Sequence, residues 1–227
     1  MLILLFDIDG TLIRTGGAGK AAMEGALRTA FGVDTIRDVV PYSGRTDRAI
    51  GLDLLTVHGL AATPENVRRL NEEYLRLLPG ALRTRPGTVC PGVAALLPRL
   101  ADRADVRLGL LTGNTRAGAR EKLTHFGLWN YFPFGGFGDD HHDRDDVARA
   151  AVAEAGAHLG AAIDPADVWV IGDTPLDVRC ARAVGAYAVV VATGWHPIAE
   201  LHTTGADLVL EHLADETSLP GVWFKAG

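Results

Sequence analysis

Two aspartates, Asp7 and Asp9, stand directly after the apolar run LILLF and are followed by Gly10-Thr11. Removing a carboxylate from water is costly, and two neighbouring carboxylates repel each other unless a cation or a shared proton relieves them. A buried strand that ends in this pair is therefore either a solvated strand end or a site that holds a positive partner. In the second case Asp7 is a candidate nucleophile or metal ligand, and Asp9 a candidate acid and base.

Two further segments carry residues that suit the same chemistry. LLTGN places Thr112, Gly113 and Asn114 just before a helix, where backbone N–H groups and a threonine hydroxyl suit a phosphate. VIGDTPLDV places Asp173 and, four residues later, Asp177. Oxygen ligands without Cys or His favour Mg²⁺ over zinc. A carboxylate that attacks phosphorus would form an aspartyl phosphate, which water then hydrolyses.

Five short apolar runs supply the strands that would position these residues. They are near-continuous in apolar residues, as in strands covered on both faces, and lie at 2–6, 107–111, 168–171, 187–191 and 207–210. From residue 84 onward they alternate with helix-like stretches, which predicts a doubly wound parallel α/β sheet. Ligands of such sheets bind beyond the carboxyl ends of the strands, so the three polar segments are expected to meet in one crevice.

Residues 16–83 are predicted to form a small helical domain inserted into an α/β core made of 1–15 and 84–227. About three helices fit this stretch. The segments at its two ends, 15–19 and 82–86, are predicted hinges, and the first of them is rich in glycine.

The start or the end of two of the inserted helices can be predicted from capping residues. GKAAMEGALRTAFG predicts a helix that ends at Gly32, and TPENVRRLNEEYLRLLPG predicts one that is capped by Thr63 and ends at Pro79-Gly80. The apolar face expected for the second helix consists of Val67, Leu70, Tyr74 and Leu77.

The composition is that of a globular protein with neither a nucleic-acid nor a membrane partner. Of its 227 residues 48% are hydrophobic and 22% are charged. The net charge is −6, whereas proteins that bind nucleic acid usually carry a net positive charge or a basic patch. MLILLF is too short for a signal peptide, and no apolar run is long enough to span a bilayer. Cys90 and Cys180 are expected to be free thiols in the cytoplasm, although a disulfide is the alternative.

These segments together resemble the haloacid dehalogenase-like hydrolase superfamily (HAD). FDIDGTL matches its first motif, LLTGN its second and IGDTPLDVRCARAVGA its fourth, and the insertion lies where the family has a mobile cap. The resemblance implies a Rossmann-like core with Asp7 as nucleophile, Asp9 as acid and base, and Thr112 as a phosphoryl ligand. It also implies Mg²⁺ held by Asp7, the Asp9 carbonyl and Asp173, with Asp177 supporting the metal directly or through its neighbours.

The third motif of the family, usually a lysine, is where this chain departs from the pattern. None of the three lysines (Lys20, Lys122 and Lys225) fits, since Lys122 lies within the preceding helix. Arg144 in DDHHDRDD is the predicted substitute, because its planar fork can bridge carboxylate and phosphate. A solvated arginine among acids is the alternative, and Arg149 is the second choice.

Three further features of the sequence are expected to lie near this site or to affect it. His141 and His142 are predicted to be solvated rather than to ligate a metal, with positioning of Arg144 or contact with substrate as the other role. Trp195 is expected to pack in the core or at the rim. YSGRTDRAI (42–50) resembles the segment that faces the active site in phosphoglycolate-phosphatase-like members.

The substrate-binding residues predicted from these segments extend from the core into the cap. Thr112, Gly113, Asn114 and Arg144 would bind the phosphoryl group. In the cap, Arg45 (with Thr46 beside it) would contact a second anionic group, or else it is a surface residue at a helix start. Lys20 is a weaker candidate for reaching the site.

The sequence therefore predicts a Mg²⁺-dependent phosphatase of small phosphorylated metabolites, monomeric or homodimeric, with a phosphoglycolate-like substrate favoured. The alternatives are a phosphosugar mutase and a catalytically weak phosphate-binding protein. A haloacid dehalogenase is disfavoured because it needs neither Asp9 nor Asp173. A phosphonate hydrolase is disfavoured because the cap offers no Schiff-base lysine except Lys20.

Overall fold

The protein is described by a computed structural model over residues 1–215 and 217–224, so Lys225 lies outside the described residues. The strands are β1 (Leu2–Phe6), β2 (Ile13–Arg14), β3 (Thr88–Val89), β4 (Val106–Leu111), β5 (Phe134–Gly136), β6 (Val168–Gly172), β7 (Tyr187–Val191) and β8 (Leu208–Leu210). The helices are α1 (Ala18–Phe31), α2 (Asp47–Val57), α3 (Pro64–Thr84), α4 (Val93–Ala101), α5 (Arg116–His125), α6 (Arg144–Leu159), α7 (Pro175–Ala183) and α8 (Ile198–Leu201).

The core is a six-stranded parallel sheet with the order β5-β4-β1-β6-β7-β8. Side chains of the central strand β1 alternate between two buried layers. Leu4 and Phe6 pack with α4 and α5, whereas Ile3 and Leu5 pack with α6 and α7. Both faces of the sheet are therefore covered, which explains the near-continuous apolar runs and confirms the predicted fold class.

Strand β5 was not predicted, because its sequence, Phe-Gly-Gly, has no apolar pattern. Its glycines are required by close packing. A Cβ on Gly135 would lie 2.7 Å from the Leu110 carbonyl oxygen, and one on Gly136 would lie 2.3 Å from the Val147 carbonyl oxygen. The contact of this strand with β4 and α6 therefore removes the β-branched residues by which strands are usually recognised.

Helices α1, α2 and α3 form a unit, here called the helical unit, with a hydrophobic cluster of its own. Gly32 ends α1 in the left-handed conformation as predicted, and the Thr63 hydroxyl accepts a hydrogen bond from the Asn66 N–H at the start of α3.

The predicted end of α3 at Pro79-Gly80 is wrong, because the helix continues to Thr84. Proline inside a helix removes one backbone hydrogen bond. Burial of Leu78 and Leu82, one turn apart on the same face, continues the packing of the helix beyond that point. The buried face is thus Leu70, Tyr74, Leu78 and Leu82, with Val67 and Leu77 half-buried at its edge.

Two further sequence predictions concern the whole chain. Cys90 and Cys180 are both free and buried, and they lie in the clusters on opposite faces of the sheet, so no disulfide joins them. Among residues 1–215 and 217–224, none of the helices combines the length and the apolar character that crossing a membrane requires.

Candidate active site

Three buried aspartates meet beyond the carboxyl ends of β1 and β6. Asp7 follows β1 and Asp173 follows β6, and these strands are neighbours in the sheet, while Asp177 lies in the first turn of α7. One carboxylate oxygen from each of the three residues lies within 4.8 Å of the others. Such a cluster of oxygens is a candidate metal site.

The electrostatics of this cluster call for a cation. Burial is the main cause that raises the pKa of Asp7 to about 7; the charge of Arg144 acts against it, and the charges of Asp177 and Asp9 act with it. Burial and the charges of Asp177 and Asp7 also hold the pKa of Asp173 well above its usual value. The site therefore resists carrying its full negative charge alone, and its all-oxygen donor set fits Mg²⁺.

Arg144 is the basic residue that the structure brings into this cluster. It is the first residue of α6, its side chain is 3% exposed, and it donates from Nη1 to Asp7 Oδ1 at 3.4 Å and from Nη2 to Asp177 Oδ1. Its Nε–H has no hydrogen-bond partner among the described residues. Arg149, the second choice, is exposed and pairs with Asp146 at 2.6 Å.

Asp177 has both carboxylate oxygens engaged by protein donors. Oδ2 accepts from the Asp173 N–H at 3.2 Å and from the Thr174 N–H and hydroxyl at 2.9 and 2.8 Å, while Oδ1 accepts from Arg144. This arrangement caps α7 and fixes Arg144. Of the two roles predicted for Asp177, support of the metal through neighbouring groups agrees better with these contacts.

Thr112 and Asn114 follow the strand β4, on the other side of β1. The Asn114 amide nitrogen donates to Thr112 Oγ1 at 2.8 Å and to Asp9 Oδ2 at 2.9 Å. Thr112 is buried, whereas the Asp9 side chain is 41% exposed. The polar residues that follow β1, β4 and β6 thus lie close together, and Asp9 is the one among them that faces solvent.

Lys122 also contacts this site, although its sequence position does not fit the third motif. Its Nζ donates to Asp9 Oδ2 at 2.6 Å and to Asn114 Oδ1 at 2.5 Å. Burial disfavours its charge, but the attraction of Asp9 and Asp47 outweighs this and raises the pKa of Lys122 above its usual value. The feature of the sequence that could have indicated a buried role for Lys122 is its place on the same helix face as Ala119 and Leu123.

Small residues around Asp173 were also missed. Thr11 Oγ1 donates to Asp173 Oδ1 at 3.3 Å, and a Cβ on Gly194 would lie 1.7 Å from Asp173 Oδ2. The Thr193 hydroxyl bonds the Gly10 carbonyl at 2.5 Å and ties this loop to the first motif. Glycine at 194 is therefore needed for the backbone to approach the carboxylate.

The segment before α2 lies directly against the site. Thr46 is buried and donates to the His142 carbonyl at 3.2 Å, and the Asp47 N–H bonds the Gly113 carbonyl at 2.7 Å. The Asp47 carboxylate accepts from the Thr115 N–H at 2.9 Å, and burial raises its pKa to about 6. The helical unit thus contacts the Gly113–Thr115 turn.

The cations predicted in the helical unit have partners within that unit. Arg45 pairs with Asp53 at 2.7 Å, and Lys20 pairs with Asp38 at 2.6 Å. Their predicted contacts with substrate stay predictions.

Trp195 is 90% exposed, so the expectation that it packs in the core or at the rim is wrong. Trp195 lies between Gly194, which is held against Asp173, and Pro197, the N-cap residue of α8, and its indole side chain is exposed to solvent.

The family comparison agrees with this geometry. The model of the haloacid dehalogenase-like hydrolase family matches residues 4–182, so the chain belongs to this family of hydrolases. The chain is 30% identical over 217 residues to a phosphoglycolate phosphatase of Synechococcus elongatus, with 95% of each chain covered. It is 31% identical over 212 residues to a phosphoglycolate phosphatase of Rhodospirillum rubrum, covering 87% of this chain and 83% of that one.

Solved structures show the same fold. A hydrolase from Pseudomonas syringae is 26% identical, with a TM-score of 0.69 and 95% of each chain covered. A mutant of CbbY from Rhodobacter sphaeroides, in complex with xylulose-1,5-bisphosphate, is 22% identical with a TM-score of 0.76, covering 95% of this chain and 96% of that one.

Proposed function

We propose that the protein is a Mg²⁺-dependent phosphatase that hydrolyses a small phosphomonoester through a phosphoaspartyl intermediate. The observation that carries this proposal is the buried cluster of Asp7, Asp173 and Arg144 beside the Thr112–Asn114 turn. The phosphoglycolate phosphatases among its relatives support the reaction, and a phosphoglycolate-like ester is the favoured substrate.

Asp7, Asp173 and the Asp9 backbone carbonyl are the proposed ligands of the metal, and Asp177 would orient Arg144 and α7. When bound, Mg²⁺ would supply positive charge that offsets the negative charge of the aspartates and of the phosphoryl oxygens. The raised pKa values of Asp7 and Asp173 support this assignment.

The proposed reaction has two steps. A carboxylate oxygen of Asp7 attacks phosphorus, the bond from phosphorus to the ester oxygen breaks, and Asp9 gives that oxygen its proton. Water then attacks the phosphorus of the phosphoaspartate and gives a proton to Asp9. The bond to Asp7 breaks, inorganic phosphate leaves, and both aspartates return to their starting states.

Three groups of this chain are proposed to bind the phosphoryl oxygens. The Thr112 hydroxyl accepts from Asn114, so its own hydrogen is available, and the buried Nε–H of Arg144 has no partner among the described residues. The Gly113 N–H is the third proposed donor. We also propose that residues 16–83 act as a cap over this crevice, because the 44–47 segment contacts the site.

Trapping of the intermediate tests the proposal. Enzyme mixed with Mg²⁺ and substrate is quenched in acid during turnover and treated with borohydride, which reduces an aspartyl phosphate to homoserine. We expect peptide mass spectrometry to find homoserine at position 7, and none without Mg²⁺. Turnover with unmodified Asp7 would contradict the mechanism, whereas a stable phosphoenzyme that needs a bisphosphate for activity would indicate the mutase.

A further inference from the structure

The ammonium group of Lys122 is enclosed by parts of the molecule that are distant in sequence. Its side chain is 5% exposed, and it donates hydrogen bonds to Asp9 and Asn114. A Cβ added to Gly19 of α1 would lie 3.3 Å from Nζ, and Asp47 of α2 attracts the charge. Core and helical unit therefore bury this ammonium together.

Packing alone does not explain a lysine at this position, because burying its charge lowers the stability of the fold. Its neighbours on the buried face of α5 are Gly118, Ala119 and Leu123, and an unbranched apolar side chain would avoid the cost of desolvating a charge. The charge is aimed at Asp9, the residue to which the proposed function gives the proton transfers.

The contacts hold one particular oxygen of Asp9. Lys122 Nζ and the Asn114 amide nitrogen both donate to Oδ2, at 2.6 and 2.9 Å. Among residues 1–215 and 217–224, Oδ1 accepts no hydrogen bond from a side chain. With Oδ2 held as an acceptor by two donors, Oδ1 is the oxygen that can carry a proton toward a substrate.

We propose that Lys122 is a positioning residue that holds the Asp9 carboxyl in the orientation needed for proton transfer to the leaving oxygen. This inference rests on the proposed function. Asn114 completes the arrangement, because its Oδ1 accepts from Lys122 while its Nδ2 donates to both Asp9 and Thr112. Thr112, proposed to bind the phosphoryl group, and Asp9, proposed to transfer the proton, are thereby linked to the same ammonium group, Thr112 through Asn114 and Asp9 directly.

Esters with different leaving groups test this role. An alkyl phosphate needs protonation of its leaving oxygen, whereas p-nitrophenyl phosphate does not. We expect Lys122→Met to lower kcat/KM for the alkyl ester by about 100-fold, the range of general acid catalysis, and for the aryl ester by only a few-fold. Lys122→Arg, which keeps the charge and donors, should recover part of the loss.

Two controls separate positioning from general damage. Arg120→Met, an exposed position on the same helix, should leave both rates unchanged. Asp9→Asn should show the same selective loss as Lys122→Met, and the double variant should be little worse than either, because both changes remove one function. Equal losses on both esters, or no loss on either, would overturn the proposal.

Crystal structures of the wild type and of Lys122→Met give a readout that does not depend on turnover. We expect the Asp9 carboxylate to leave its wild-type orientation in the variant, and an unmoved carboxylate would overturn the proposal. If the wild type hydrolyses neither ester, the proposed function fails, and this comparison still decides whether Lys122 holds Asp9.

Discussion

At the scale of single residues, the buried charges of the site stabilise one another as ion pairs. Arg144 is buried between Asp7 and Asp177, and removing one member of a buried ion pair leaves the other charge unpaired. This dependence makes Arg144 both a candidate phosphoryl ligand and a structural counter-charge. The surface pair of Arg149 with Asp146 has no such consequence, since both side chains are more than half exposed.

We expect Arg144→Met to lower the free energy of unfolding by about 3 kcal/mol at pH 8 without Mg²⁺, because Asp7 and Asp177 lose their cation. Urea unfolding measures this change. Arg149→Met is the matched control, with an expected change below about 1 kcal/mol. Equal stability of the wild type and Arg144→Met would show that the aspartates do not depend on this arginine.

The positions of the candidate residues were largely predictable from the sequence, since Asp7, Thr112 and Asp173 each follow an apolar run. The place of Lys122 in the site was not, because it depends on a contact with Asp9, which lies 113 residues away along the chain. A helix pattern shows that a face is buried, but the partner of a charge on that face is known only from the packed structure.

At the scale of elements, the helical unit contacts the turn after β4, beside the candidate site. The backbone of this turn approaches the helical unit so closely that a Cβ on Gly113 would lie 2.0 Å from the Arg45 carbonyl oxygen. The hydrogen bond from the Asp47 N–H to the Gly113 carbonyl lies in the same contact.

Gly113→Ala is therefore expected to hold the helical unit away from the core. A displacement of about 1 Å at a reacting centre costs roughly 100-fold in rate, and we expect a loss of kcat/KM of that order. Steady-state kinetics on the preferred ester measures it. Gly80→Ala in α3, where a Cβ meets nothing within 4 Å, is the control and should keep full activity. Full activity in Gly113→Ala would refute the importance of this contact.

Elements were predictable where local pattern and packing agree. β1 has the predicted bounds, as does β7, because both are apolar on both faces. β5 and the last turn of α3 were missed because tertiary contacts overrule local preference there: glycines permit close approach in β5, and Leu82 is buried beyond Pro79.

At the scale of the whole molecule, stability and metal binding are expected to depend on pH together. The folded state keeps a proton on Asp7 up to about pH 7, whereas an unfolded aspartate with the ordinary pKa of 3.8 loses it near pH 4. Asp7 therefore lowers the stability of the metal-free protein as the pH rises from about 4 to about 7. Mg²⁺ competes with this proton, so its stabilising effect should grow over the same interval.

Thermal unfolding with and without Mg²⁺ between pH 5 and pH 8 measures this linkage. We expect a small increase in Tm with Mg²⁺ at pH 5 and a larger one at pH 8. In Asp7→Asn the increase should be smaller and should depend less on pH. A Mg²⁺ effect that is equal at all pH values in the wild type would contradict a metal site that includes Asp7.

Phosphate release from a panel of small phosphate esters, with and without Mg²⁺, tests the central claim most directly. The panel includes phosphoglycolate and pyrophosphate, and Asp7→Asn is the control. We predict release that requires the metal and falls roughly 1,000-fold or more in Asp7→Asn, with phosphoglycolate-like esters the best substrates. Release that survives the loss of Asp7, or a folded wild type that releases phosphate from no ester, would contradict the account.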